Sequence, residues 1–267
     1  FDDCQNLVKS MFSDLEFSRS INMSGVNSIN WARIVAQSVY YFYAYFRFGV
    51  ESNLNFSVPT GNFGDIYAGY LAKKIGLPLG SLIVATNKND ILHRAISKGD
   101  YKIKKVEETY SPSMDIQIAS NFERLLYDLN DGDSKKTLEN MIQIKKNDYF
   151  LNEEMLKKVK KHFLSESLSE EETLIQISQT FNEYKYVLDP HTAIGLGVAK
   201  KLEIDNCIVL ATAHPSKFPK AISRSINVKN YLPVELEQIK NKEEKFKVLD
   251  NNIENIKKYI RGCINVY

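Results

Sequence analysis

The sequence predicts an α/β fold in which β–α–β units build a parallel sheet and a helical region is added between them. Three observations carry this. Residues 53–59 and 81–86 are short apolar runs of strand length on either side of a helix-patterned stretch, 64–76, closed by Gly76 and Pro78. A second passage of the same kind follows at 191–212, where a helical stretch leads into the strand-like run "CIVLAT". Between them, 116–184 is dominated by helical spacing, with Leu125, Leu126 and Leu129 on one side and an acidic helix start, "SEEETLIQI", at Ser169. At 267 residues and 43% hydrophobic composition, the chain supports one large domain or two smaller ones sharing an interface.

Taken in order, the chain opens on "FDDCQNLVKSMF", an amphipathic helix with Leu7, Val8, Met11 and Phe12 on one side. It shows no initiator Met, signal peptide or polar leader there, and reads as the interior of a longer protein. "NSIN" at 27–30 supplies capping residues for the most hydrophobic run, "WARIVAQSVYYFYAYFRFG", which Gly49 ends. That run is expected to be a buried core helix. Arg33, Gln37, Ser38, Arg47, the tyrosine hydroxyls and the Trp31 indole would be poorly tolerated in lipid. After "CIVLAT", the segment "AHPSKFPKAI" leads into another helix, and 233–261 reads as a charged, Lys- and Glu-rich helix. The lysines of 239–258 interleave with acids, the pattern of a solvated face.

Charge and rare residues narrow the function classes. With 35 basic and 33 acidic residues the net charge is +2, so no polyanion partner such as nucleic acid is implied. Cys4, Cys207 and Cys263 lie far apart and match no metal-ligand spacing, which suits reduced thiols in a cytoplasmic protein. His93, His162, His191 and His214 contain no i, i+4 pair of the HExxH type, so no metal site is expected.

Three stretches are candidates for chemistry. In "VPTGNFGDIYAGYLAKKIG", a strand feeds a Gly-x-x-Gly turn and then a helix. The backbone N–H groups from Gly61 to Asp65 then point at one spot before the helix N-terminus, a geometry that binds phosphate. The same pattern also serves as a plain tight connection, and Asp65 suits the first turn of any helix. In "NSINWAR", Asn27, Ser28 and Asn30 serve as caps. Arg33, a cation in a helix's first turn, opposes the macrodipole and is better explained by a bound anion. In "LATAHPSKFP", Thr212 and His214 follow a strand's C-terminal end, where ligands lie in open α/β sheets; a simple strand-to-helix turn is the alternative.

Taken together, "NSINWARIVAQ", "VPTGNFGDIYAGYLAKKIGLP", "IVATNKND", "LDPHTAIG" and "ATAHPSKFP" resemble the threonine synthase family. These are pyridoxal-phosphate enzymes of the tryptophan-synthase-β-like fold (fold type II). The resemblance runs from Phe1 to about Phe218, through five motifs in order. It implies a reaction in which O-phospho-L-homoserine loses phosphate, water adds at Cβ and L-threonine leaves, with pyridoxal 5′-phosphate as electron sink. It implies that Gly61, Asn62, Phe63, Gly64 and Asp65 cradle the cofactor's phosphate. Asn27 and Arg33 then grip the substrate phosphate, with Asn62 shared between the two anions. Thr212 matches the hydroxyl facing the pyridine nitrogen and would leave that nitrogen largely unprotonated.

The resemblance also implies a departure. Family members carry their Schiff-base lysine and a substrate-carboxylate loop before the segment that aligns with Phe1, and neither motif occurs here. Lys217 matches a second family lysine, so no catalytic residue is expected in this chain, and the chain alone is expected to be inactive. The implied organisation is a part of the pyridoxal-phosphate fold carrying the phosphate loop at 1–115, a helical insertion at 116–184, and the C-terminal part with terminal helices at 185–267. The implied partner is the small-molecule substrate, with no nucleic acid and no membrane, in a cytoplasmic monomer or homodimer. A relative that releases 2-oxobutyrate and a non-catalytic binding module retaining the fold are the alternatives.

Overall fold

The apolar runs around Phe56 and Val84 form adjacent parallel strands, and the helix between them is the crossover that a parallel pair requires. The structure is a computed structural model and describes residues 2–25, 30–48, 54–228, 233–238 and 242–264. In chain order its elements are α1 (Asp2–Ser13), α2 (Leu15–Ser20), α3 (Trp31–Phe48), β1 (Asn55–Pro59), α4 (Gly64–Lys74), β2 (Leu82–Thr86), α5 (Ile91–Lys98), α6 (Phe122–Leu129), α7 (Ser134–Lys145), α8 (Glu153–Lys160), β3 (Phe163–Ser167), α9 (Glu170–Tyr184), α10 (Pro190–Lys201), β4 (Cys207–Val209), α11 (Pro219–Ser225), α12 (Val234–Glu237) and α13 (Ile253–Ile264). They fall into two compact units, Phe1–Val26 with Pro233–Tyr267 and Asn27–Leu232.

In the larger unit the four strands form one parallel sheet in the order β3-β2-β1-β4. Side chains alternate across it. Phe56, Val58, Leu82 and Val84 face the layer that includes Ile66 and Ala68 of α4, whereas Ile83 and Ala85 face Ile194 and Val198 of α10. Both faces are covered, which is why β1 and β2 read as continuous apolar runs. Ser57, fully buried, donates to the Gly195 carbonyl at 2.6 Å and ties β1 to α10. Helix α3 packs on α4, α10 packs on β1 and β2, and α5 packs on β2 and β3.

The structure departs from the sequence reading at three places in this unit. Strand β3 lies inside the stretch read as helical; it is a sheet edge among the described residues, and only Phe163 of its five residues is buried. Strand β4 stops at Val209, short of Thr212. Helix α3 is buried on one face only: Ile34 and Tyr41 are fully covered, but Val39, Tyr43 and Phe46 are 59%, 70% and 67% exposed. An apolar sequence all round a helix shows what the helix is able to bury, and neighbours decide which face is covered.

In the smaller unit, the Asp14 side chain caps α2 by accepting from Phe17 N at 3.0 Å and pairs with Lys257 of α13 at 2.7 Å. Lys257 and Arg261 lie over the ring of buried Phe17. The Lys257 ammonium holds the Asp14 carboxyl below its ordinary value, and the carboxylate raises Lys257 in turn. This lysine is therefore not one of a purely solvated row. The stretch 233–261 is not a continuous helix either: α12 and α13 are separate, and the exposed residues 243–250 are non-helical. Among the described residues no helix is long and apolar enough to cross a membrane, and no three His, Cys, Asp or Glu groups are placed to hold a metal ion.

Candidate functional site

The loop after β1 is held by hydrogen bonds to β2 and to the segment before α6, and it lines a cleft. Thr60 N donates to Ala85 O at 2.8 Å, continuing the ladder, while its hydroxyl turns back to Val58 O at 2.6 Å. Asn62 is held by the segment preceding α6. Its carbonyl accepts from Asn121 N and Asn121 Nδ2, both at 3.1 Å, and its Oδ1 accepts from Ser120 Oγ at 3.3 Å. A Cβ on Gly61 would stand 2.5 Å from Ser113 O, so only glycine lets the two backbones pass this closely.

Phe63 follows in the left-handed region, at φ 63° and ψ 8°. A bulky side chain is uncommon there and has to be held in place. Its ring is 1% exposed and lies 5.5 Å edge-on from Phe122 and 5.7 Å from Phe163. A left-handed residue followed by a right-handed helix turns successive N–H groups toward one point. The N–H groups of residues 61–66 donate to no acceptor among the described residues, and α4 has no side-chain cap.

They front a cleft of about 460 Å³, the size of a small-ligand pocket. It is lined by the loop, by Gln37 and Tyr40 of α3 and by residues 210–212 after β4; among the described residues no Lys, Arg or His is in the lining. Asp65, in the first turn of α4, lines the cleft too. Tyr41 Oη donates to its carbonyl at 2.8 Å and reaches its Oδ1 at 3.3 Å. Burial pushes the Asp65 carboxyl up to about 6, with the Tyr41 hydroxyl opposing, and burial beside Asp65 raises the Tyr41 phenol. Tyr41 is seated against bare Gly69, where a Cβ would come within 2.5 Å of its ring.

The structure thus brings Gly61, Asn62, Phe63, Gly64, Asp65 and Thr212 to one cleft. Thr212 is exposed at its edge. Arg33 is exposed in the first turn of α3 and is not in the lining; Gln37, one turn further along the same face, is. Asn30 acts as a helix cap, accepting from Ala32 N at 3.0 Å, and Asn27 and Ser28 lie outside the described residues. His214 caps the short turn that follows, accepting from Ser216 N, and Lys217 is exposed outside the lining. The other two quoted motifs are structural. Asn87 ties the 109–115 loop through Thr109, Ser111 and Asp115, and Asp189 caps α10 while meeting His191 Nδ1 at 3.1 Å. Sequence reasoning missed Gln37, Tyr40, Tyr41, Ser120 and Asn121, which no local motif marks.

The family description "Threonine synthase, C-terminal" matches residues 192–260. Threonine synthase of Pseudomonas aeruginosa is 42% identical over 266 residues, covering 97% of this chain and 57% of that protein. The Saccharomyces cerevisiae threonine synthase is 43% identical over 281 residues, covering 94% and 55%. The crystal structure of PLP-bound threonine synthase from Brucella melitensis superposes with a TM-score of 0.89 at 45% identity, covering 98% of this chain and 57% of that one. This chain belongs to the threonine synthase family. Its parallel α/β architecture is that of the fold type II, tryptophan-synthase-β-like proteins, and the yeast threonine synthase structure matches it with a TM-score of 0.87 over 100% of this chain. The chain spans 57% and 55% of the length of the two curated threonine synthases named above.

Proposed function

We propose that this chain supplies the phosphate-binding side of a threonine synthase, a cytoplasmic carbon–oxygen lyase that converts O-phospho-L-homoserine and water to L-threonine and phosphate. The observation that carries the reading is the set of backbone N–H groups at 61–66, which have no acceptor among the described residues and belong to a loop that lines a cleft. That cradle fits the phosphate of pyridoxal 5′-phosphate: a helix N-terminus and a left-handed turn offer donors to an anion, and glycine at 61 lets the loop lie close against its support. When bound, the cofactor supplies an electron sink for the carbanions formed as phosphate leaves and water adds.

In this reading Gly61, Asn62, Phe63, Gly64 and Asp65 hold the cofactor phosphate, and Thr212 offers its hydroxyl to the ring. Asn27 and Arg33 hold the substrate phosphate with Asn62, whose side chain Ser120 orients. Residues 116–184 act as a buttress, since Ser120 and Asn121 pin the loop at Asn62. No lysine lines the cleft among the described residues, so the covalent lysine of the chemistry is assigned to a part of the whole protein outside this chain.

The test is pyridoxal phosphate titration of this chain followed by borohydride reduction and peptide mapping. Saturable, phosphate-competed binding that Gly64→Val abolishes while far-UV circular dichroism is retained supports the reading, together with the absence of any stoichiometric pyridoxyl-lysine. Full binding by Gly64→Val reduces the loop to a connection, and stoichiometric labelling of one lysine, Lys217 for instance, replaces the reading with a self-sufficient site.

A further inference from the structure

The cleft combines two features that oppose each other. Donors without an acceptor among the described residues favour a phosphate dianion, yet a carboxyl group stands in the same helical turn as those donors. Among the described residues no Lys, Arg or His lines the cleft, and Arg33 of α3 stands exposed outside the lining. Tyr41 of α3 meets the carboxyl itself, and the rest of the cleft is lined by uncharged groups: Tyr40 and Gln37 of α3, Leu210, Ala211 and Thr212 after β4, and Asn62 of the loop. Tyr41, seated against Gly69, bonds both the carbonyl and the carboxyl of Asp65 and holds the carboxyl where it is. Two negative charges sharing a partly desolvated turn repel strongly, and a cradle of N–H donors holds the phosphate as its dianion, which leaves the carboxylate as the group that discharges.

We propose that anion binding at the 61–66 loop is proton-linked: the Asp65 carboxylate takes one proton from solvent as a phosphate monoester enters. The proton adds to a carboxylate oxygen, no bond in the ligand breaks, and the resulting O–H becomes one more donor in a cradle of donors. This rests on the reading of the loop as a phosphate cradle and deepens it. Burial already lifts this carboxyl to about 6, so the proton is taken up close to neutral pH. Asp65 thereby sets a specificity: the site binds a phosphate dianion together with a proton, and its affinity falls as pH rises above neutrality.

The test is isothermal titration of the full chain with pyridoxine 5′-phosphate, whose alcohol in place of the aldehyde prevents adducts with lysines. Titrations at pH 7 and pH 8 in buffers of different ionisation enthalpy count the protons. The wild-type chain should take up close to one more proton per ligand than Asp65→Asn. Its affinity should fall about tenfold from pH 7 to pH 8, one decade per unit for a single obligatory proton, while Asp65→Asn stays level. The ligand's own second ionisation, near about 6, is common to both proteins. Tyr41→Phe removes the bond that favours the carboxylate, so its falling limb should move to higher pH. Equal proton uptake by wild type and Asp65→Asn, or weaker binding by Asp65→Asn at pH 8, overturns the proton linkage and leaves the cradle standing. No binding by either folded protein overturns the cradle reading and the linkage with it.

Discussion

Replacing Phe63 by glycine should leave the chain more stable than replacing it by alanine, the reverse of the order in a helix or strand. Two contributions separate cleanly at this position. The ring is 1% exposed and packs against Phe122 and Phe163, so truncation to alanine should cost about 3–5 kcal/mol in lost burial and cavity. Glycine loses the same ring. The backbone, however, stands at φ 63°, where an L side chain is disfavoured by about 1–2 kcal/mol and glycine is not. Phe63→Gly should therefore be about 1–2 kcal/mol more stable than Phe63→Ala, whereas an ordinary helical site would favour alanine by about 1 kcal/mol. Urea unfolding followed by the fluorescence of Trp31, the single tryptophan, reports on the larger unit and gives both differences if the m-values match. An alanine variant equal to or more stable than the glycine variant would refute the claim that the turn stores backbone strain.

The remaining predictions concern charge. The Asp65 carboxyl rises from 3.8 in the unfolded reference to about 6 in the fold, so the native state binds its proton more tightly. Stability from this group is fullest below pH 4 and falls as pH rises from about 4 to 6; above that window the charged carboxylate destabilises the fold by about 3 kcal/mol. Asp65→Asn should accordingly unfold at higher urea than wild type at pH 7 and at the same urea at pH 4, and identical pH profiles would remove the burial argument. In a protein spanning the whole length of the family, Arg33→Ala should lower kcat/KM for O-phospho-L-homoserine by about 2–5 kcal/mol with cofactor content unchanged; a loss under about 1 kcal/mol would place Arg33 at the surface only.

How legible this was depends on where each signal resides. The β1–α4–β2 unit was readable because strands covered on both faces have to be apolar throughout, and because glycine and proline punctuate the helix between them. The loop was readable for the same local reason: Gly61 and Gly64 bracket a turn that opens a helix. Strand β3 was not. Leu164 points outward, and Ser165, Glu166 and Ser167 are only half-buried, so the run carries no apolar pattern, and its pairing with β2 comes from residues far away in sequence. Helix α3 was readable as a helix, but its side chains gave no hint of which face the larger unit covers. The supports of the site were illegible as well. Asn121 and Ser120 are ordinary helix-start residues until the fold sets them beside Asn62, and Tyr41 is one aromatic among several until Gly69 makes room for its ring. Phe63 is the sharpest case, since nothing in the residue type announces a left-handed backbone.

These illegible residues explain how the loop persists. Three local rules are broken within a few residues: a phenylalanine is left-handed and, among the described residues, a run of backbone donors has no acceptors and a carboxyl is buried without a cation. The left-handed residue alone is destabilising by about 1–3 kcal/mol, and the buried carboxylate, once charged, by about 3 kcal/mol. Chance placement would scatter such defects across the fold. Here they converge on one cleft, and the loop that carries them is braced from several elements: Phe122 and Phe163 around the ring, Asn121 donating to the Asn62 carbonyl, Tyr41 at Asp65. A loop that served only to connect β1 to α4 would gain nothing from that arrangement, because a polar capping residue in place of Phe63 would avoid the strain and satisfy one of the helix's first donors within the chain. Donors left open, in a turn held rigid by packing from three sides, are pre-organised for an acceptor that the polypeptide does not itself provide.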